Sequence, residues 1–152
     1  MELGVDKEWS IPMYYRHLSD HPKSDELKNI LILVEKIGRH QSIFVPFALA
    51  RVSDKSTRNS ALWYIWEFGN SKHAGAVAAH LLDPAFQDED PRVVFECLKK
   101  ICGKDELAIL MKFSAKNFAR NRKPLFVTET DACRKAIESR LEAEAIAAAL
   151  KK

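Results

Sequence analysis

Apolar residues return every three to four positions through most of the chain, and glycine or proline interrupts that rhythm at regular intervals. Leu27, Ile30, Leu31, Val34 and Ile37 form one helical stripe, opened by Ser24 with Asp25 and Glu26 and closed by Gly38 in a left-handed turn. A second helix is expected from about Ser42 to Val52. Pro46 lies inside that span and is tolerated only where the helix begins near Val45, leaving the proline in the first turn. The next restart is at Asp54 or Ser56, with Arg58, Ala61, Leu62, Ile65, Trp66 and Phe68 on one wide inward face and Gly69-Asn70 as its stop. Gly38, Gly69 and Gly103 recur at comparable places. One helix pair per 30 to 45 residues is the mark of an α-solenoid.

The remaining elements extend the same reading. A helix over roughly Ser71–Leu82 turns Ala74, Val77, Ala78 and Leu81 inward, and Asp83-Pro84 breaks it. Asp90-Pro91-Arg92 opens the third pair, whose first helix buries Val94, Phe95, Leu98, Ile101 and Cys102. Its second helix runs from Asp105 to about Asn121, with Leu107, Leu110, Ser114 and Phe118 on one side. Residues 121–127 read as a loop. Thr128 to Asp131 resembles a capping box for a last helix ending near Leu150, with Cys133, Ile137, Leu141, Ala145 and Ala148 inward. Before the first pair, Ser10-Ile11-Pro12 starts a short helix, and Trp9, Tyr14 and Tyr15 are expected to seal the exposed end of the stack.

Valine-proline, then a loop aspartate, arginine, alanine-leucine and a closing glycine stand here as Val45-Pro46, Asp54, Arg58, Ala61-Leu62 and Phe68-Gly69. In this order the residues resemble HEAT repeats, and in particular the subgroup found also in phycobilin lyases. Asp90-Pro91-Arg92-Val93 and Gly103 keep part of the pattern, with Phe95 and Glu96 where alanine and leucine are usual. The resemblance spans 24 to about 113. It implies a right-handed α-α superhelix of about three helix pairs, 24–53, 54–89 and 90–121, between an N-terminal cap over 1–23 and a C-terminal helix over 128–150. It implies a single HEAT-like domain over 1–152, and structural roles for Asp54 with Arg58 and Asp90 with Arg92, tying successive repeats. The metal pattern of the deoxyhypusine hydroxylase HEAT enzymes is absent, because no histidine is followed by glutamate.

Composition changes this picture little. The chain has 152 residues, enough for a real core, with 47% hydrophobic and 30% charged residues, as in ordinary soluble proteins. No apolar run approaches the ~20 residues of a bilayer span, and the first residues show no signal-peptide pattern. Three cysteines, Cys97, Cys102 and Cys133, suit buried thiols in a reduced, cytoplasmic protein. The net charge of +3 is unevenly spread. Four acids lie between Asp83 and Asp90, and five bases without an acid lie between Lys112 and Lys123.

That basic segment supplies the first candidate site. Lys112, Lys116 and Arg120 are spaced by one turn and make a stripe, with Arg122 and Lys123 beyond it. Such a row is either a solvated face or a surface for phosphates or acidic side chains, and in HEAT scaffolds the second helix of each pair usually lines the concave side. His73 and His80 share a face with Val77 between them. Two helical turns, about 10 Å of rise, separate them, too far to share one metal ion, so they read as packing or surface groups. Trp63 and Tyr64 point away from the stripe of Leu62 and Trp66, toward a neighbouring repeat or toward solvent, where they would anchor a protein partner or stack on a base. No phosphate loop, Gly-x-Ser-x-Gly or His-Glu-x-x-His occurs. The expected function is therefore non-enzymatic protein binding through the second-helix surface, as an adaptor, inhibitor or immunity-type module without a cofactor. The alternative is nucleic-acid binding through residues 112–123. A helper for a tetrapyrrole is a third class, implied by the resemblance alone.

Overall fold

In a computed structural model, which describes residues 7–80, 92–119 and 124–151, with side chains described to 113 and again from 128, all regular structure is helical. Eight α-helices occur among the described residues and no strand does. They are α1 (Ile11–Asp20), α2 (Leu27–Ile37), α3 (Val45–Ala50), α4 (Arg58–Phe68), α5 (Ala74–Ala79), α6 (Arg92–Ile101), α7 (Lys104–Ala119) and α8 (Pro124–Leu150). None of the described helices is long and apolar enough to cross a membrane. The chain forms two compact units, 1–69 with α1 to α4 and 70–152 with α5 to α8.

In the first unit most of each apolar stripe is buried as the periodicity predicts, while Ile37 and Phe68 are half-buried and Trp66 is exposed. Leu27, Ile30, Leu31 and Val34 of α2 and Ala61, Leu62 and Ile65 of α4 are all buried. Gly38 has φ +75°, and its N–H donates to the carbonyls of Val34 and Glu35, so the left-handed stop is present. Gly69 stops α4 differently. Its backbone is extended, and a Cβ there would lie 2.4 Å from the carbonyl oxygen of Ile65, to which its N–H donates at 2.7 Å. Pro46 stands in the first turn of α3, preceded by a 3-10 turn at Gln41–Phe44, as its missing N–H requires.

Loop polar groups hold these helices in register. Arg51 donates to the carbonyl of Ser24 at 2.9 Å and pairs with Asp54 at 3.2 Å. Buried Arg58 donates to the carbonyls of Val52 and Ser53 at 2.8 and 3.1 Å, while Asp54 accepts from the backbone N–H and hydroxyl of Ser56. Asp54 and Arg58 thus serve the turn between α3 and α4, and Ser24 accepts from the N–H of Glu26 ahead of α2, which begins at Leu27. The aromatic cap is only partly sealed. Tyr14 is fully buried, but Trp9 and Tyr15 are exposed, with Tyr15 lying edge-on to Phe44 and Phe47.

In the second unit α5 and α8 each pack against both α6 and α7. Val94, Phe95, Leu98, Ile101 and Cys102 are buried as expected, with Phe95 edge-on to Phe113 at 5.9 Å. All three cysteines are buried and outside any disulfide. Burial pushes Cys102 up to about 11 and Cys133 up to about 12, so both stay protonated and inert at neutral pH. Two expectations for the last helix are corrected. Residues 124–127 are helical, because Pro124 occupies the first-turn position where its missing N–H costs nothing; Thr128 therefore lies inside the helix and not at its N-cap. Cys133 and Ile137 are buried and Leu141 half-buried, but Ala145 and Ala148 are exposed, as is every residue from 142 to 150. High helix propensity, with an i,i+4 pair between Arg140 and Glu144, supports that alanine-rich end.

Candidate functional site

The sequence-predicted residues fall into three groups. Of the basic stripe, Lys112 is exposed on α7 beside exposed Met111. The side chain of Lys116, and Arg120, Arg122 and Lys123 altogether, lie outside the described residues. Asp90 and the acidic loop at 83–90 do so as well.

His73 and His80 are half-buried, at the start and end of a short α5. His73 belongs to a 3-10 turn at Ser71–His73, where it performs a local task. Its Nδ1 accepts from the N–H of Asn70 at 3.1 Å, while the Asn70 side chain accepts from the N–H of Lys72 at 2.9 Å. This reciprocal cap needs an unprotonated Nδ1. Burial first, and Lys72 second, hold the histidine below its ordinary value of 6.5. The unfolded chain therefore takes up the proton more readily. The cap contributes fully above pH 6.5 and is lost as pH falls through the lowered folded value. Acidification through the lowered folded value should reduce the amide-exchange protection of Asn70 and Lys72 in wild type, each rate being divided by its intrinsic rate at that pH, and His73→Ala should abolish that pH response. Among the described residues no three histidine, cysteine or carboxylate groups gather as a metal site.

The aromatic cluster of α4 gives the most defined surface. Trp63 is 48% exposed and meets Trp66, itself 38% exposed, edge-on at 5.7 Å. The expectation that Trp66 packs inward with Leu62 is corrected. Apolar residues fill every side of α4 from Ala61 to Trp66, and the smaller Ala61, Leu62 and Ile65, with Tyr64, take the buried side. Tyr64 is only 2% exposed, so it is unavailable as a binding anchor. Its hydroxyl donates to the carbonyl of Gln41 at 2.7 Å, which fixes α4 against the 3-10 turn before α3. Burial, then the charges of Glu35 and Glu67, raise the phenol well above its usual range.

Between α2 and α4 runs a groove of about 280 Å³. From α2 it takes Lys28, Leu31, Ile32 and Glu35, and from α4 Ser60, Trp63, Tyr64 and Glu67. Both sets are spaced i, i+3, i+4, i+7, one face of a helix in each case. Each α4 residue stands 32 positions after its α2 counterpart, from Lys28 and Ser60 to Glu35 and Glu67. Leu31 and Tyr64 form the buried floor, whereas Ile32 (42% exposed) and Trp63 form the open apolar walls. Glu35 and Glu67 lie in the last turns of their helices, where the backbone dipole is already negative. Partial burial, followed by repulsion from Glu67, raises the Glu35 carboxyl above the usual carboxylate value.

The α2 half of this groove went unseen in the sequence. Ile32 was a visible signal, being a large apolar residue just off the stripe of Leu27, Ile30, Leu31 and Val34. No protein-family model, curated protein or solved structure matches the chain.

Proposed function

We propose that this protein is a non-enzymatic protein-binding module whose helix pairs stack as a right-handed HEAT-like solenoid, and that the α2–α4 groove with its tryptophan edge is part of the binding surface. The observation that carries the reading is the exposure of Trp63 and Trp66 beside Ile32, contiguous large apolar side chains left in water on otherwise well-packed helices. Singly exposed apolar residues need no explanation, but a clustered aromatic pair on a groove is the usual makeup of a partner anchor. The repeat reading draws support from α2 and α4, two helices of matching length whose residues 28–35 and 60–67 present faces of the same spacing to one groove, an interval of 32 residues. Adaptor, inhibitor and immunity-type roles all suit such a surface. The second-helix surface, with Lys112 exposed on α7, would extend the contact.

The test is affinity capture from the native cell, with the full chain compared against the Trp63→Ala/Trp66→Ala variant by quantitative mass spectrometry. More than half of each ring is buried, so capture is compared at a temperature where a thermal melt shows the variant still folded. Loss of particular proteins by about tenfold or more, corresponding to a hot spot of roughly 1.4 kcal/mol, is the expected result. An unchanged protein profile would sink the reading. Retention that falls steeply with log salt, and is lost in Lys112→Glu instead, would transfer the function to nucleic acid on the basic stripe.

A further inference from the structure

We infer that His17 and His21 form a two-imidazole site for a nitrogen-seeking divalent metal ion, Cu²⁺ ahead of Ni²⁺ or Zn²⁺, at the C-terminal end of α1. The site is separate from the α2–α4 groove and does not depend on what that groove binds. His17-Leu18-Ser19-Asp20-His21 has the four-residue interval that sets two histidines on one helix face, one turn apart. The backbone keeps that relation to the end of the helix, because the N–H of His21 donates to the carbonyl of His17 at 2.8 Å.

Ring geometry carries the assignment. The two ring centres lie 5.0 Å apart, with the planes tilted by 45°. Two imidazoles sharing one ion at metal–nitrogen distances of about 2.0–2.1 Å have centres roughly 4.5–5.2 Å apart, for bond angles of about 90–110°. The rings therefore already stand at the separation that a shared ion imposes. His17 Nε2 lies 3.0 Å from the hydroxyl oxygen of Ser24. An oxygen on one ring nitrogen is what orients a ligating histidine, and it leaves Nδ1 of His17 for the metal. His21 is exposed, so its ring is open to an ion from solution.

The surroundings select the ion. Both rings and the Asp20 carboxylate line one hollow of about 420 Å³, at the negative end of the α1 dipole, where an anion would be disfavoured. Arg16 lines it too, but is exposed and long enough to turn its charge into water. Mg²⁺ and Ca²⁺ seek oxygen ligands. Among the described residues no third histidine, cysteine or carboxylate completes the set, so Asp20 contributes charge and water keeps the remaining positions. Structural zinc closes its sphere with four side chains. Two imidazoles and water suit an ion of high intrinsic affinity for nitrogen, and among divalent first-row ions that affinity peaks at Cu²⁺. Buried Leu18 follows His17 where the hydrolytic helix motif has its glutamate base, so the site holds an ion without that motif's chemistry.

The experiment titrates the full chain with CuCl₂, NiCl₂ and ZnCl₂ by calorimetry at neutral pH, and follows substoichiometric Cu²⁺ by broadening of amide resonances. One Cu²⁺ should bind per chain with a Kd on the order of 10 µM, and Ni²⁺ and Zn²⁺ about tenfold or more weakly. Broadening should centre on residues 17–21. His21→Gln changes an exposed ring, so the fold is kept, and it should weaken Cu²⁺ binding by about tenfold or more. His40→Asn is the control; asparagine suits the left-handed backbone there, and binding should be unchanged. Cu²⁺ binding that survives His21→Gln, falls equally in His40→Asn, or broadens resonances elsewhere would overturn the assignment. So would the absence of Cu²⁺ binding below about 1 mM.

Discussion

Phe44→Ala is expected to destabilise the unit formed by residues 1–69 by about 3–5 kcal/mol, a large part of the stability that a domain of this kind possesses. Phe44 is fully buried at the end of a 3-10 turn, with Val45 and Ala48 buried immediately after it. Tyr15 lies edge-on to its ring at 5.9 Å, and Phe47 is tilted against it at the same distance. Collapse into the vacated space is opposed by Pro46, which fixes the direction of α3 from its first turn. The cavity therefore remains largely open, and the loss lies near the top of the range for its size. Tyr15→Ala removes the same aromatic contact from the exposed side and should cost only about 0.5–1.5 kcal/mol. Urea unfolding of the full chain, with amide exchange in α2 as the local probe, separates the two. Equal costs for both variants would mean that ring pairing, and not burial, holds this corner together.

The helices and their inner faces were legible because a 3.6-residue repeat leaves a direct trace in composition. Leu27, Ile30, Leu31 and Val34, and likewise Val94, Phe95, Leu98 and Ile101, are buried as their spacing requires. Pro46 and Gly38 were legible for a stronger reason: each is confined by its own covalent structure to few backbone conformations. Periodicity failed where it was saturated. From Ala61 to Trp66 every residue is apolar, so no stripe stands out, and Trp66, which shares the spacing of Leu62, is exposed. It also failed where alanine was read as core, since Ala145 and Ala148 bury too little area to require a partner. The candidate groove was half legible. Trp63 drew notice as an aromatic, while Ile32 and Glu35 meet it only across 30-odd residues of sequence, a distance that no local pattern reports.

The guanidinium contacts were the least legible, and one of them supports the second large prediction. Arg140→Met should destabilise the 70–152 unit by about 2–3 kcal/mol, close to the value of one strong charge-assisted hydrogen bond to a carbonyl. From α8, Arg140 Nε donates to the carbonyl of Lys99 at 2.7 Å and Nη2 to that of Cys102, while Nη1 pairs with Glu144 at 3.0 Å. The two carbonyls belong to the C-terminal end of α6, where helix geometry leaves acceptors without intrahelical donors. A cation there also meets the negative end of the helix dipole. One side chain thus caps α6 and fastens α8 to it, beside buried Ile137 one turn away. Methionine keeps much of the stem's packing and removes the donors, so the loss measures the cap itself. Arg134→Ala is the control, because Arg134 pairs with the half-exposed carboxylates of Asp131 and Glu138 on its own helix, and should cost less than about 1 kcal/mol. Amide exchange should localise the Arg140 effect to the last turn of α6, with Arg140→Lys recovering part of it through a single donor group. If Arg140→Met and Arg134→Ala prove equally mild, water satisfies the α6 carbonyls as well as the guanidinium does, and α8 is held by the packing of Cys133 and Ile137 alone.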